Sequence, residues 1–164
     1  MNNLNIEEIV KELIDTFLYA GQISIDLRNK GLIKKIKSDN TPVSNGDLEV
    51  NKIITEKIKE VTPELPIISE ETSDNKSVKG LNNFWLVDPI DGTYDYINNL
   101  EEFTINAGLI LNNQPMAGLI YAPAKKRMFY SFGPNNAYEI KNDETIKLEC
   151  SKNFNKDTIK FVSY

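Results

Sequence analysis

Apolar side chains recur at helical spacing in the first third of the chain. Between residues 6 and 27 they follow one another at intervals of three and four, which predicts an amphipathic helix that continues past Gly21. A polar stretch over 30–43 predicts a loop or short hairpin. A second helix is predicted from Ser44, with Ser44 and Asp47 as a capping box. Its apolar face is Val50, Ile53, Ile54, Ile58 and Val61.

The pattern then changes to short apolar runs separated by turn formers, which is typical of strands. Pro89 is expected to end the strand that begins at Phe84, and a short helix is expected at about 93–98. The chain is interpreted as a single α+β domain over 1–164, with two N-terminal helices packed on a mainly antiparallel sheet. The predicted strands are 65–69, 84–88, 103–111, 116–121, 128–132, 137–140 and 145–148.

Composition narrows the chemistry. The 164 residues are 40% hydrophobic and 26% charged, with a net charge of −5, which argues against a nucleic-acid polymer as partner. An acidic protein can still bind an anionic substrate through divalent cations. The single cysteine, Cys150, excludes a disulfide framework, and the absence of histidine excludes imidazole catalysis and histidine-bound zinc.

No targeting or membrane segment is recognisable in the sequence. The N-terminus lacks a basic region followed by an apolar one, and the longest apolar runs are far shorter than a transmembrane segment. We therefore expect a cytoplasmic protein with no transmembrane segment, and peripheral association with the inner membrane stays open.

The stretch from Phe84 to Thr93 is the most informative part of the chain. Its apolar run ends in two carboxylates, Asp88 and Asp91, followed by Gly92 and Thr93. Two hard oxygen ligands three residues apart on a turn can converge on Mg²⁺. A helix beginning near Thr93 would direct free N–H groups at the same point, where they would hold a phosphate. The stretch therefore predicts metal-assisted phosphate chemistry.

Two further carboxylates are candidates for the same site, Asp47 at a helix start and Glu70 at a strand end. Each candidate has a simpler interpretation. Asp47 could only cap its helix, Glu70 and Glu71 could be an exposed acidic pair, and Asp91 with Gly92 could be an ordinary turn. Lys37 could contact a second phosphate. The residues alone leave these alternatives open.

Four segments, over 38–47, 68–71, 85–93 and 118–123, resemble the inositol monophosphatase family of Mg²⁺-dependent, lithium-sensitive phosphatases. The string from Asp88 to Thr93 is the most specific of them. Segments 37–43 and 102–106 are most similar to the 3′(2′),5′-bisphosphate nucleotidases of that family. The resemblance implies the N-terminal domain of the sugar-phosphatase-like αβαβα fold, and hydrolysis of adenosine 3′,5′-bisphosphate, a small phosphorylated nucleotide, to AMP.

The resemblance also implies roles for individual residues. Two or three Mg²⁺ ions would bind per complete site, and lithium would inhibit. The metal ligands would be Glu70, Asp88, Asp91 and the Ile90 carbonyl. Asp47, Thr93 and Glu70 would act on the attacking water. Asp91, Gly92 and Thr93 would contact the phosphate.

Departures from the family pattern leave alternatives open. Ser44 and Gly46 stand where Thr and Ala are usual, a change expected to be neutral because both residues are small, whereas 94–96 is expected to alter contacts near the phosphate. Family members carry a second domain after the part resembling 159–164, so a fragment or a naturally short protein is expected, with an apolar face free to self-associate. Inositol monophosphate or another small phosphate ester is an alternative substrate. A non-catalytic metal- or nucleotide-binding module is the alternative from a different class.

Overall fold

A computed structural model describes residues 5–38, 40–71 and 80–150, so Asp39, most of the 72–82 loop and the segment 159–164 lie outside the described residues. Within them the three predicted helices are confirmed. Helix α1 begins after an Asn5 cap and ends before Gly31, and α2 is capped by Ser44 and Asp47 as the sequence predicted. The helices are α1 Ile6–Lys30, α2 Asn45–Val61 and α3 Thr93–Ile97.

The strands form a two-stranded hairpin between α1 and α2, which confirms the hairpin alternative for 30–43, and one large sheet. The sheet has the order β3-β4-β5-β6-β7-β8-β9; only β3 and β4 run parallel, and the other neighbours are antiparallel. The predicted α+β class is therefore confirmed. The strands are β1 Lys34–Ile36, β2 Pro42–Ser44, β3 Ile67–Ser69, β4 Phe84–Asp91, β5 Thr104–Leu111, β6 Gln114–Ala122, β7 Arg127–Phe132, β8 Ala137–Lys141 and β9 Glu144–Lys147.

One face of the large sheet packs against α1 and α2 and forms the core. Alternate residues of β4, β5 and β6 point to the helices, and Trp85, at its centre, donates its indole N–H to Thr62 Oγ1 at 3.1 Å. This bond ties the C-terminal end of α2 to the sheet. The largest fully buried side chains are Trp85, Tyr96, Phe17, Phe103, Leu13, Ile54, Ile58, Ile90, Ile105, Leu109, Leu119 and Met128.

Strand β4 does not end at Pro89, contrary to the sequence prediction. It continues to Asp91 because a β-bulge absorbs the proline: Asp88 pairs with Asn106 and Asp91 with Thr104, so two residues of β4 lie opposite one residue of β5. A proline has no N–H for the ladder, and a bulge is where a strand tolerates that loss. The bulge determines towards which face of the sheet the side chains of Asp88 and Asp91 point.

Tyr96 in α3 lies in the core, and the effect of segment 94–96 on contacts near the phosphate stays a prediction. The Tyr96 hydroxyl donates to the Ser24 carbonyl on α1 at 2.7 Å, and its ring packs 4.9 Å from that of Phe103. A Cβ added to Gly46 would lie 2.2 Å from the Tyr96 hydroxyl oxygen. Gly46 and Tyr96 therefore fit one another, and this contact holds the first turn of α2 against α3.

The other face of the sheet, which we call the open face, carries no helix among the described residues. Leu86, Ile120 and Ile146 lie on it with 45%, 47% and 49% of their surface exposed. Cross-strand pairing joins Asn106, Ile120, Phe129, Glu139 and Ile146 in one row. Within the described part of the chain, the helices are too short or too polar to cross a membrane.

We predict that Gly46→Ala lowers the free energy of unfolding by about 1 to 3 kcal/mol, because the new methyl group overpacks against Tyr96. Urea denaturation followed by circular dichroism measures the change. Gly108→Ala is the matched control: its Cβ would meet nothing closer than the Ala117 carbonyl at 4.0 Å, so a change within about 0.5 kcal/mol is expected. Equal stability of Gly46→Ala and the wild type would contradict the contact.

Candidate active site

Asp47 uses its two carboxylate oxygens for different purposes. Oδ2 accepts the Ser44 backbone N–H at 2.8 Å and the Ser44 hydroxyl at 2.6 Å, which completes the capping box of α2. Oδ1 accepts the Thr93 hydroxyl at 3.1 Å, although Thr93 is 46 residues away in the chain. Asp47 is almost fully buried. Capping therefore fixes the carboxylate and leaves one oxygen for the predicted site.

Gly92 and Thr93 form the turn between β4 and α3. Gly92 has φ +90°, and a Cβ there would lie 2.7 Å from the Glu102 carbonyl, so both conformation and space require glycine. The Thr93 hydroxyl also lies 3.1 Å from the Ile90 carbonyl, so its single hydrogen is shared between Ile90 and Asp47. The turn thus joins the Ile90 carbonyl and Asp47, two of the predicted site groups, through one hydroxyl.

Asp88 and Asp91 lie on the open face. Their β5 partners, Asn106 and Thr104, are two residues apart and so share a face, which means that the bulge has placed both carboxylates on that face. Asn106 donates its amide Nδ2 to Asp91 Oδ2 at 3.2 Å. The structure therefore brings together the two aspartates that the sequence placed three residues apart.

Glu70 follows β3, which runs parallel to β4, and its backbone N–H bonds to the Val87 carbonyl at 3.1 Å. Lys37 lies between the acidic pair, with Nζ 3.2 Å from Glu70 Oε1 and 2.7 Å from Glu71 Oε1. Glu71 has only 4% of its side chain exposed. The exposed-pair alternative is therefore wrong for Glu71, and Lys37 pairs with carboxylates in this structure.

Burial and the contacts between charges have opposite effects on the pKa values of Lys37 and Glu71. Burial lowers the pKa of Lys37, but its hydrogen bonds and charge contacts with Glu71 and Glu70 outweigh burial and raise it. Burial, together with the negative charges of Asp47 and Glu70, raises the pKa of Glu71 and outweighs the hydrogen bond and the charge of Lys37, which lower it. The ammonium group thus neutralises the acidic cluster only in part.

Asp88 is the most perturbed carboxyl group of the site. Burial has the largest effect on the pKa of Asp88. The negative charges of Glu70 and Asp91 and a hydrogen bond with Glu70 add to it, and together these effects raise the pKa to about 7. Negative charges this close disfavour ionisation. Asp88 and Glu70 are therefore neighbours, as the sequence interpretation of one acidic constellation expected.

The donor set fits a divalent cation, although it does not enclose one. Among the described ranges, no three His, Cys, Asp or Glu side chains stand close enough together to hold a metal ion. However, Asp88 Oδ1 is buried and has no hydrogen-bond partner. A hard cation bound to oxygen ligands would satisfy that atom and offset the crowding that raises the pKa of Asp88.

Two residues contribute to the site in ways that the sequence did not indicate. Asn106 lies within the segment 102–106 noted for its resemblance, but its contact with Asp91 depends on the register of β4 against β5. Asn51 on α2 contacts Ser69, whose hydroxyl also accepts the Glu71 N–H at 3.3 Å. Alternating polarity in β5 was the available signal for Asn106.

The mixed sheet carries the Asp88 and Asp91 carboxylates on its open face, and Asp47 contacts Thr93 across the turn that follows β4. The family model described as "Inositol monophosphatase family" matches residues 5–160, so the chain belongs to the inositol monophosphatase family. This is a family of phosphatases. The resemblance drawn from the sequence motifs is confirmed.

Individual relatives support the same family. The 3′(2′),5′-bisphosphate nucleotidase CysQ of Buchnera aphidicola subsp. Acyrthosiphon pisum is 41% identical over 136 residues, which are 81% of this chain and 51% of that protein. The crystal structure of CysQ from Bacteroides thetaiotaomicron is 31% identical with a TM-score of 0.64, covering 84% of this chain and 50% of that one. The chain thus spans about half the length of these relatives.

A third comparison shows the fold alone. A solved IMPase/NADP phosphatase, complexed with Mg²⁺ and phosphate, is 23% identical with a TM-score of 0.69 and covers 82% of this chain and 51% of that one. The α+β arrangement of helices on a sheet is therefore shared with family members of known structure.

We predict that, without divalent ions, the wild-type protein loses stability between pH 5 and pH 8 relative to Asp88→Asn. The folded-state pKa of Asp88, about 7, lies above the ordinary value of 3.8 for an aspartate, so the folded protein holds a proton that the unfolded chain has released. That contribution is lost as pH rises towards 7. Because Asp88 keeps contact with solvent, we expect about 1 to 2 kcal/mol. Urea titrations in EDTA at both pH values measure it.

Asp143→Asn, in the turn between β8 and β9, is the control for the charge change itself. It should follow the wild-type dependence on pH. Parallel curves for Asp88→Asn and the wild type would show that Asp88 does not carry the raised pKa.

Proposed function

We propose that this chain provides the metal-binding half of a Mg²⁺-dependent phosphomonoesterase. The observation that carries the proposal is that the bulge places Asp88 and Asp91 on one face of the sheet while Asp88 Oδ1 stays buried and without a hydrogen-bond partner. Carboxylates crowded to the point of raising a pKa are typical of sites that bind cations. The 1–164 chain would then be a single N-terminal metal-binding phosphatase domain.

In the proposed mechanism, Glu70, Asp88, Asp91 and the Ile90 carbonyl hold Mg²⁺. Bound Mg²⁺ lowers the pKa of water and neutralises phosphate charge. Asp47 Oδ1 and the Ile90 carbonyl hold the Thr93 hydroxyl in place, 3.1 Å from each. Thr93 would orient the attacking water, Asp47 would accept a proton through it, and Glu70 would also act on this water. None of these steps requires a histidine.

The phosphate would be bound next to Asp91 by the backbone N–H groups of Gly92 and Thr93. Gly92 caps α3 in a left-handed conformation, and its missing side chain lets the turn pack against the Glu102 carbonyl. Backbone N–H groups at such a turn attract anions. The same turn that fixes Thr93 would thus position the group that the attacking water meets.

The substrate we propose is adenosine 3′,5′-bisphosphate, which would be hydrolysed to AMP and phosphate. Two relatives named 3′(2′),5′-bisphosphate nucleotidase CysQ are 31% and 41% identical to this chain, whereas the IMPase structures compared are 20–23% identical. That difference favours a nucleotide over inositol monophosphate. Inhibition by lithium and a role in sulfur metabolism belong to the same proposal.

We predict Mg²⁺-dependent phosphate release from adenosine 3′,5′-bisphosphate that exceeds release from inositol 1-phosphate. Asp91→Asn should reduce it at least 100-fold, since the change removes a charge from the cation site. Colorimetric phosphate assays with and without Mg²⁺ measure both substrates. Asp143→Asn should keep wild-type activity.

Faster phosphate release from inositol 1-phosphate would show that the substrate is not the nucleotide, whereas the proposed reaction class would stand. Phosphate release that does not depend on Mg²⁺, or that is unchanged in Asp91→Asn, would contradict the mechanism. Mg²⁺ binding without release from either substrate would favour the non-catalytic module.

The open face is proposed as an association surface, because Leu86, Ile120 and Ile146 expose large apolar side chains on it. We predict concentration-dependent self-association of the isolated chain in sedimentation velocity, weakened by Ile146→Lys. Ile36→Lys is the control, since Ile36 is 68% exposed but belongs to the β1–β2 hairpin. A monomer at all concentrations would exclude self-association through this face.

A further inference from the structure

Asn106 and Asp88 share an unusual defect. They are direct cross-strand partners on the open face, so their Cβ atoms lie about 4.5 to 5.5 Å apart. Asp88 Oδ1 and Asn106 Oδ1 are both buried and both lack a hydrogen-bond partner. Within the described part of the chain they are the two buried side-chain atoms in this condition. Because folded proteins rarely leave buried acceptors unpaired, two on adjacent residues point to a common missing group.

The orientation of the Asn106 amide follows from its neighbour. Nδ2 donates to Asp91 Oδ2 at 3.2 Å. The reversed amide would set Oδ1 against a carboxylate oxygen, which repels it, so the network itself assigns the NH₂ group to Asp91. The unpaired Oδ1 is therefore a consequence of holding Asp91.

We propose that Asn106 is a positioning residue of the metal centre: its NH₂ group holds the Asp91 carboxylate, and its Oδ1 joins Asp88 Oδ1 in facing the cation or the water shell of the cation. This inference rests on the proposed function. A hard divalent ion with its bound waters supplies what both oxygens lack. Asn106 thereby links two aspartates of the bulge, one by a hydrogen bond and one through the shared ion.

A buried water bridging the two oxygens is the competing occupant. Water can donate to both acceptors and would need no metal. In that case Asn106 would support the sheet, and its replacement would change stability and leave metal affinity unaltered. The two cases therefore differ in a property of the protein without substrate.

The test is Mn²⁺ binding to the folded, substrate-free protein, followed by electron paramagnetic resonance of the free ion. Asn106→Leu keeps the branching at Cγ and removes both polar groups. It should weaken Mn²⁺ binding about tenfold, the lower range for residues that orient metal ligands. Asn136→Leu, at the turn between β7 and β8, is the matched control and should bind Mn²⁺ as the wild type does.

Asn106→Asp separates positioning from simple support of the sheet. It keeps an oxygen beside Asp88 but loses the donor to Asp91 and sets a repelling carboxylate oxygen against it, so it should weaken Mn²⁺ binding, by less than Asn106→Leu. Circular dichroism checks that each variant is folded. Affinity that falls in the Asp variant and falls further in the Leu variant supports the proposal, because each of the two contacts of Asn106 then contributes to binding. Unchanged or tighter binding by the Asp variant would overturn the role of the amide donor.

The outcomes separate this inference from the proposed function. Wild-type binding with unchanged affinity in Asn106→Leu would overturn the role of Asn106 and leave the metal site standing. An equal loss of affinity in the Leu and Asp variants would also overturn it. A wild-type protein that binds no Mn²⁺ would overturn the proposed metal centre and the role of Asn106 with it.

Discussion

The β-bulge at Pro89 and Ile90 is the constraint on which the candidate site depends. In a regular strand, side chains three residues apart point to opposite faces, so either Asp88 or Asp91 would enter the core. With two residues of β4 opposite one of β5, both carboxylates reach the open face while Ile90 stays buried. Pro89 suits this position because it has no N–H to leave unpaired. The segment that carries the two aspartates therefore also determines the backbone conformation that places them on one face.

The same arrangement costs stability, and the structure offsets only part of that cost. Burial and then the neighbouring carboxylates raise the pKa of Asp88 to about 7, and Lys37 pairs with Glu70 and Glu71 from one side. The two carboxylate oxygens of Asp47 both have hydrogen-bond partners, because one caps α2 and the other holds Thr93. A bound cation would relieve the remaining repulsion, which is how a site can be poor for folding and suited to binding.

Local sequence signals predicted most of the fold, since helix periodicity, the capping box and the turn residues act over a few positions. The exceptions involve partners distant in sequence. Pro89 was interpreted as a strand end because a bulge is defined by the opposite strand, and Gly46 looked like a neutral change until Tyr96 was placed against it. Asn106 could be linked to Asp91 only through strand register. Family resemblance supplied the site residues without supplying these contacts.

The acidic edge and the apolar open face are parts of one surface. The row that begins with Asp88 and Asn106 continues across the sheet through Ile120 and Phe129. A group that covers those apolar side chains also removes water from the neighbouring carboxylates. This loss of water raises the free-energy cost of leaving the carboxylates unpaired and strengthens their attraction for a cation. Covering the face and binding the metal are therefore coupled free energies, and each must favour the other to the same extent.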